Sequence, residues 1–282
     1  MLERRQIQRV VLMALDEDAP FGDITSQTLI PAGTTAQAQL VAREPGVFAG
    51  VDVYSIAMST VDASVSVVLH VEDGDAFETG TVLADITGPA RAVLQAERVA
   101  LNLIQRMCGI ATLTAVYVAA VGEHPVRVVD TRKTTPGLRA LERHAVRCGG
   151  GHNHRYSLSD AVMAKDNHLA VMGDVTQALR QAALDLPHTT HIEVEVDRLE
   201  QIDAVLESGA ADTIMLDNFS LEDLRAGVAL IDGRALVEAS GGVTLDAIGD
   251  IAATGVDIIS VGALTHSVRA LDLGLDITLQ PV

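Results

Sequence analysis

From about residue 110 onward, short β-branched and apolar runs alternate with longer stretches in which apolar positions recur every three or four residues. The runs lie at Val126 to Val129, Ala161 to Ala164, Ile192 to Val196, Thr213 to Leu216, Ala235 to Val237 and Asp257 to Val261. Several intervening stretches open on helix-capping residues: Asp174 with Gln177, Ser220 with Asp223, and Thr244. Repeated strand-then-helix units predict a parallel sheet, either open or closed into a barrel. The first part of the chain has a different pattern. Gln39 to Arg43, Val65 to Val71 and Thr81 to Ile86 read as strands, with a turn at Asp73-Gly74. Gly88-Pro89 then opens a helix with Pro in its first turn. Val93, Ala96, Ala100, Leu103 and Met107 form its apolar stripe, and Arg91, Gln95, Arg98, Asn102 and Arg106 its polar face.

The polar residues ending successive strands are evenly spaced. Glu195 to Asp217 is 22 residues, Asp217 to Ser240 is 23, and Ser240 to Gly262 is 22. That step is one strand-helix unit, so the four positions fall at the C-terminal end of the sheet, where barrel enzymes carry their sites. Glu193 shares the strand face of Glu195, one step deeper, and reads as a structural acid.

Composition narrows the function. A chain of 282 residues holds one barrel-sized domain and a smaller one. A net charge of -18 repels nucleic acid over most of the surface. No apolar run approaches the roughly 18 residues of a membrane span, and Val10 to Leu15 is too short for a signal-peptide core. Cys108 and Cys148 form no C-x-x-C, so neither a zinc site nor a disulfide framework is expected, and the cytoplasm is the expected location. Within this acidic chain, residues 130–168 hold seven basic side chains, four histidines and only four acids. Such a local positive basin suits a small, highly anionic ligand. Lys133 and Lys165 are the only two lysines among 20 basic residues, which points to positions wanting a compact ammonium. Arg132 and Lys133 follow one strand directly and Lys165 ends the next, so all three point into one mouth. Arg143 and Arg147, four apart, read as a solvated helix face.

The runs D-T-R-K-T-T-P-G-L-R (130–139), G-G-G-H-N-H-R (149–155), K-D-N-H (165–168), E-V-E-V (193–196), L-D-N (216–218), E-A-S-G-G (238–242) and V-G-A-L-T-H-S (261–267) resemble quinolinate phosphoribosyltransferase, the carboxylating nicotinate-nucleotide pyrophosphorylase. The resemblance spans nearly the whole chain. It implies an N-terminal α/β sandwich over residues 1–106, rejoined by about 270–282, and an open, seven-stranded, incomplete TIM-like α/β barrel over 107–269. It also implies a homodimer in which Arg98 completes the partner's site.

The activity implied is phosphoribosyl transfer from phosphoribosyl pyrophosphate to quinolinate, with loss of CO2. Arg132, Arg155 and, in trans, Arg98 offer planar forks for the two carboxylates, and Lys165 and His154 add point donors. Glu195 and Asp217, with Mg2+, suit the ribose hydroxyls and pyrophosphate. Ser240, Gly241, Gly242, Gly262 and Ala263 form the expected phosphate cradle, with Lys133 and His266 as further phosphate contacts. Lys133, Lys165, Glu195 and Asp217 are the expected catalytic set. Three rival readings are a relative using another heterocyclic acid, a barrel aldolase with a Schiff base on Lys165, and a non-catalytic assembly protein.

Overall fold

The computed structural model describes residues 2–279, and the chain divides into two compact units. Residues 2–115, 134–150 and 265–279 form the first, and 116–133 with 151–264 form the second.

The first unit is built on a four-stranded antiparallel sheet in the order Leu273–Leu279, Thr35–Ala42, Val82–Pro89, Ser66–Leu69. Its central strand shows the period of two that a half-buried sheet requires: Ala36, Ala38 and Leu40 are buried, while Gln37 and Gln39 face water. Residues 280–282, part of the segment expected to rejoin this domain, lie outside the described residues. Pro89 does not start the helix. It is the last strand residue, opposite Thr35, and the helix begins at Ala90, whose N–H donates to Thr34. A residue with no N–H is tolerated at the end of a ladder, so the same proline suits either place.

The helix Ala90–Ala120 runs well past the stripe read from the sequence, and that stripe, Val93, Ala96, Ala100, Leu103 and Met107, is buried throughout. By length and composition it could cross a membrane, contrary to the expectation that no segment approaches one. Arg106 argues for a protein interior instead. Its guanidinium donates to Glu142 at 2.7 Å, Thr135 at 2.8 Å and the Thr265 carbonyl at 2.9 Å. Glu142, only 1% exposed, is carried by the helix Arg139–Cys148. Asp23 caps the short helix Ile24–Leu29 by accepting from the N–H groups of Thr25 and Ser26.

The second unit contains a six-stranded parallel sheet in the order Arg127–Val129, Ile258–Ser260, Leu236–Ser240, Thr213–Asp217, Ile192–Val196, Val162–Ala164. These are the six runs read from the sequence. The seventh strand is reduced to one parallel bridge, His152 against Val129, on the outer side of the Arg127–Val129 strand. Three neighbouring glycines and the polar His152-Asn153-His154 leave little β-branched material for a longer one. Helices Val175–Asp185, Ile202–Ser208, Leu221–Ile231 and Leu245–Ala252 alternate with the strands. Asp174 and Ser220 cap theirs by accepting from Gln177 and Asp223, whereas Thr244 makes no side-chain cap bond.

Candidate active site

Strand register builds the site. Because parallel neighbours in register share a face, Glu195 stands beside Met215, Met215 beside Glu238, and Asp217 beside Ser240. Two tiers result. Glu195, Asp217, Ser240 and Gly262 are partly exposed at the strand ends. Two residues earlier on each strand, Glu193, Met215, Glu238 and Ser260 are buried, with exposures of 4% or less. Above them opens a cavity of about 400 Å³, lined by Arg132, Lys133, His154, Arg155, Lys165, Glu195, Asp217 and Ser240, with Thr131, Met163, Met215, Glu238 and Ser260.

The D-T-R-K and G-G-G-H-N-H-R runs are held to each other by Asp130. This fully buried carboxylate accepts from Asn153 Nδ2 at 2.6 Å and from the His154 N–H at 2.8 Å. Main-chain bonds between Asp130 and His152, and between His152 and Val128, continue the link. Arg132 and Arg155 are thereby brought to one wall. Burial, and next the charge of Arg132, lower the pKa of the Arg155 guanidinium. Two cations facing one space are the signature of a site completed by anions. Lys165 forms an ion pair with Glu195, so the ammonium and one of the two upper carboxylates are already in contact.

His154 is more constrained than a substrate donor need be. Its Nδ1 accepts the Arg155 N–H at 2.7 Å, while Nε2 lies 3.1 Å from Glu193 and 3.6 Å from Glu238. The structure thus gives both ring nitrogens protein partners. Burial disfavours charge on the ring, but the facing carboxylates outweigh it and raise the pKa; burial likewise raises that of Glu193. Because Nδ1 accepts the Arg155 N–H it holds no proton, so the ring keeps a single N–H, at Nε2, and the burial of Glu193 favours a further proton on that carboxyl.

Asp217 is set by an unusual turn. Asn218 has φ of 59°, donates from Nδ2 to Asp217 at 2.6 Å, and its N–H reaches the Ser240 carbonyl at 2.9 Å. Gly241, at φ 91°, packs against it so closely that a Cβ would stand 2.3 Å from Asn218 Oδ1. Gly242, at φ 57°, has no atom within 4 Å of a Cβ position.

Of the expected site residues, eight line the cavity. Gly241, Gly242 and Gly262 lie in the loops that follow the lining strands, and Ala263 begins the short helix Ala263–His266; none of the four lines the cavity itself. Arg98, exposed on its helix, and His266, whose Nδ1 lies 2.6 Å from Ser267 Oγ, belong to the first unit. Sequence reasoning missed Glu238, Met215, Met163 and Ser260. Their signal was present: each precedes a recognised strand-end residue by two, and Glu193, Met215, Glu238 and Ser260 repeat the spacing of the upper tier.

Comparison with known proteins agrees with this architecture. Residues 23–108 match the N-terminal domain of quinolinate phosphoribosyl transferase, and residues 110–276 match its C-terminal domain. The chain is 48% identical to the carboxylating nicotinate-nucleotide pyrophosphorylase of Mycobacterium leprae, covering 94% of each. It is 43% identical to the probable carboxylating nicotinate-nucleotide pyrophosphorylase of Bacillus subtilis, over 97% of this chain and 94% of that one. The crystal structure of NadC from Streptococcus pyogenes superposes with a TM-score of 0.95 at 40% identity, covering 100% of this chain and 99% of that one. With two tiers of strand residues under a cationic cavity, and with matches that run through both domains, the chain belongs to the quinolinate phosphoribosyltransferase family.

Proposed function

We propose that the protein transfers the phosphoribosyl group of phosphoribosyl pyrophosphate to quinolinate and releases pyrophosphate, CO2 and nicotinate mononucleotide. The observation that carries this reading is that Arg132 and Arg155 line the same cavity as the Lys165–Glu195 pair and Asp217, in a protein of net charge -18. A diacid neutralises the first group, and a ribose with its pyrophosphate is oriented by the second.

In the mechanism, Arg132 and Arg155 hold the two ring carboxylates and aim the pyridine nitrogen at C1 of the sugar, while Lys165 adds a compact charge. The nitrogen lone pair forms the bond to C1 as the C1–O bond to pyrophosphate breaks, and pyrophosphate leaves with that electron pair. Carboxylates near C1 favour the cationic character that develops there. The carboxylate beside the now cationic nitrogen is lost as CO2. Its bonding pair stays on the ring carbon, stabilised by the adjacent positive charge, until a proton replaces it.

Mg2+ fits the donor set: Glu195 and Asp217 are oxygen ligands on adjacent strands bordering one cavity, and Mg2+ takes a few carboxylates together with water and substrate oxygens. When bound, it neutralises charge on the pyrophosphate. Ser240, Gly241 and Gly242, Gly262 and Ala263, with Lys133 and His266, serve the phosphates. The working form is a cytoplasmic homodimer in which Arg98 acts in the partner's site. Exposed apolar residues on the first unit, Phe21 at 96%, Ile24 at 78% and Leu29 at 71%, support association. Incubation with quinolinate, phosphoribosyl pyrophosphate and Mg2+, followed by mass spectrometry, yields nicotinate mononucleotide under this proposal; turnover of nicotinate but not quinolinate overturns it.

A further inference from the structure

We infer that Glu193 and Glu238 are positioning residues of the diacid site: they hold the His154 ring, whose Nδ1 fixes the main chain of Arg155. The inference rests on the reading of this cavity as the quinolinate site. An imidazole that accepts a hydrogen bond at Nδ1 carries its proton at Nε2, and that proton is directed at Glu193, 3.1 Å away, with Glu238 at 3.6 Å. The carboxylates therefore select the tautomer that leaves Nδ1 able to receive the Arg155 N–H. Arg155 is anchored a second time where its Nη1 donates to the Ala161 carbonyl at 2.9 Å. Held at both points, its guanidinium enters the cavity in one orientation.

Two observations separate this from an ordinary buried acid. First, Glu193 Oε1 and Glu238 Oε1 are buried with no hydrogen-bond partner. Acids retained only for core stability are satisfied at both oxygens, and an unsatisfied buried carboxylate is costly. Second, the two come from strands separated by the Thr213–Asp217 strand, yet both turn to the same ring nitrogen. His154, Glu193 and Glu238 are also close enough to hold a metal ion. A metal on Nε2 asks Nδ1 to carry a proton, and the Arg155 N–H occupies that direction, so the geometry favours the hydrogen-bonded relay.

The test is steady-state kinetics of the full protein with quinolinate, phosphoribosyl pyrophosphate and Mg2+. Glu193→Ala is expected to raise KM for quinolinate about tenfold or more, the scale of a buried hydrogen bond lost, with KM for phosphoribosyl pyrophosphate nearly unchanged. Glu193→Gln keeps an acceptor for Nε2–H and restores most of that loss. In a His154→Ala background, Glu193→Ala adds little, because its route is already cut. Should Glu193→Ala fold poorly, Glu238→Ala takes its place, with weaker binding of benzene-1,2-dicarboxylate expected by calorimetry and unchanged binding overturning the inference. Equal effects on both substrates, additive effects with His154→Ala, or a stoichiometric metal lost on Glu193→Gln each overturn the inference. Absence of quinolinate turnover by the unaltered protein instead overturns the function proposed above.

Discussion

Replacing Gly241 by Ala separates the geometry of the Asp217 turn from general loop tolerance. A side chain at φ 91° costs about 1–2 kcal/mol in backbone strain. The added Cβ also lies 2.3 Å from Asn218 Oδ1 and 2.8 Å from the Asn218 main-chain nitrogen. A clash with backbone cannot be relieved by a rotamer change, and overpacking of this kind costs about 1–3 kcal/mol. The sum, about 2–5 kcal/mol, lowers Tm by about 4–10 °C in a chain this long. Displacing Asn218 also breaks its 2.6 Å bond to Asp217, so kcat falls as well. Gly242→Ala is the control: its φ of 57° is strained but its Cβ meets nothing within 4 Å, so Tm falls by only about 2–4 °C. Its added methyl crowds the phosphate cradle and raises KM for phosphoribosyl pyrophosphate. Differential scanning calorimetry with parallel kinetics reads both effects. Equal melting of the two variants, or unchanged kcat in Gly241→Ala, refutes the reasoning.

Arg106→Leu leaves the buried Glu142 carboxylate without its cation and destabilises by about 3–5 kcal/mol, seen as a lower Tm, while adding Glu142→Leu recovers much of the loss. Asp73 has its pKa lowered from 3.8: burial opposes this, but bonds from His144 and from the N–H groups of Gly50 and Val51 outweigh it. A depressed carboxyl pKa stabilises the fold above the unfolded value and loses that contribution as pH falls through the folded one. Denaturation of Asp73→Asn and wild type should therefore differ at neutral pH and converge below about pH 4. Arg98→Ala and Lys165→Ala are each nearly inactive; mixed so that subunits exchange, they regain up to about a quarter of wild-type activity if sites are shared across a dimer. No recovery on proven exchange contradicts sharing.

The barrel was legible because its physics is local and repetitive. Strands Ile192–Val196 and Thr213–Asp217 announce themselves by β-branched runs, and the 22- or 23-residue step places their tips together. The lower set escaped notice because Met215 and Ser260 carry no obvious chemistry and Glu193 resembles a core acid; only their burial two residues before each strand-end residue shows that they underlie the cavity. Pro89 was misplaced for a local reason, since a proline satisfies the end of a ladder as well as the first turn of a helix. The role of His154 was hidden differently. Its partners lie 39 and 84 residues away, at Glu193 and Glu238, and no periodicity links a loop histidine to two strand acids.

The central claim is that one cavity accepts a pyridine diacid, joins it to a phosphoribosyl group and removes the carboxylate beside the ring nitrogen. Quinolinate labelled with 13C at that carboxylate tests it most directly. The account predicts labelled CO2 and unlabelled nicotinate mononucleotide in equal amounts, both dependent on phosphoribosyl pyrophosphate. Label retained in a nucleotide product, or CO2 released without phosphoribosyl pyrophosphate, contradicts it.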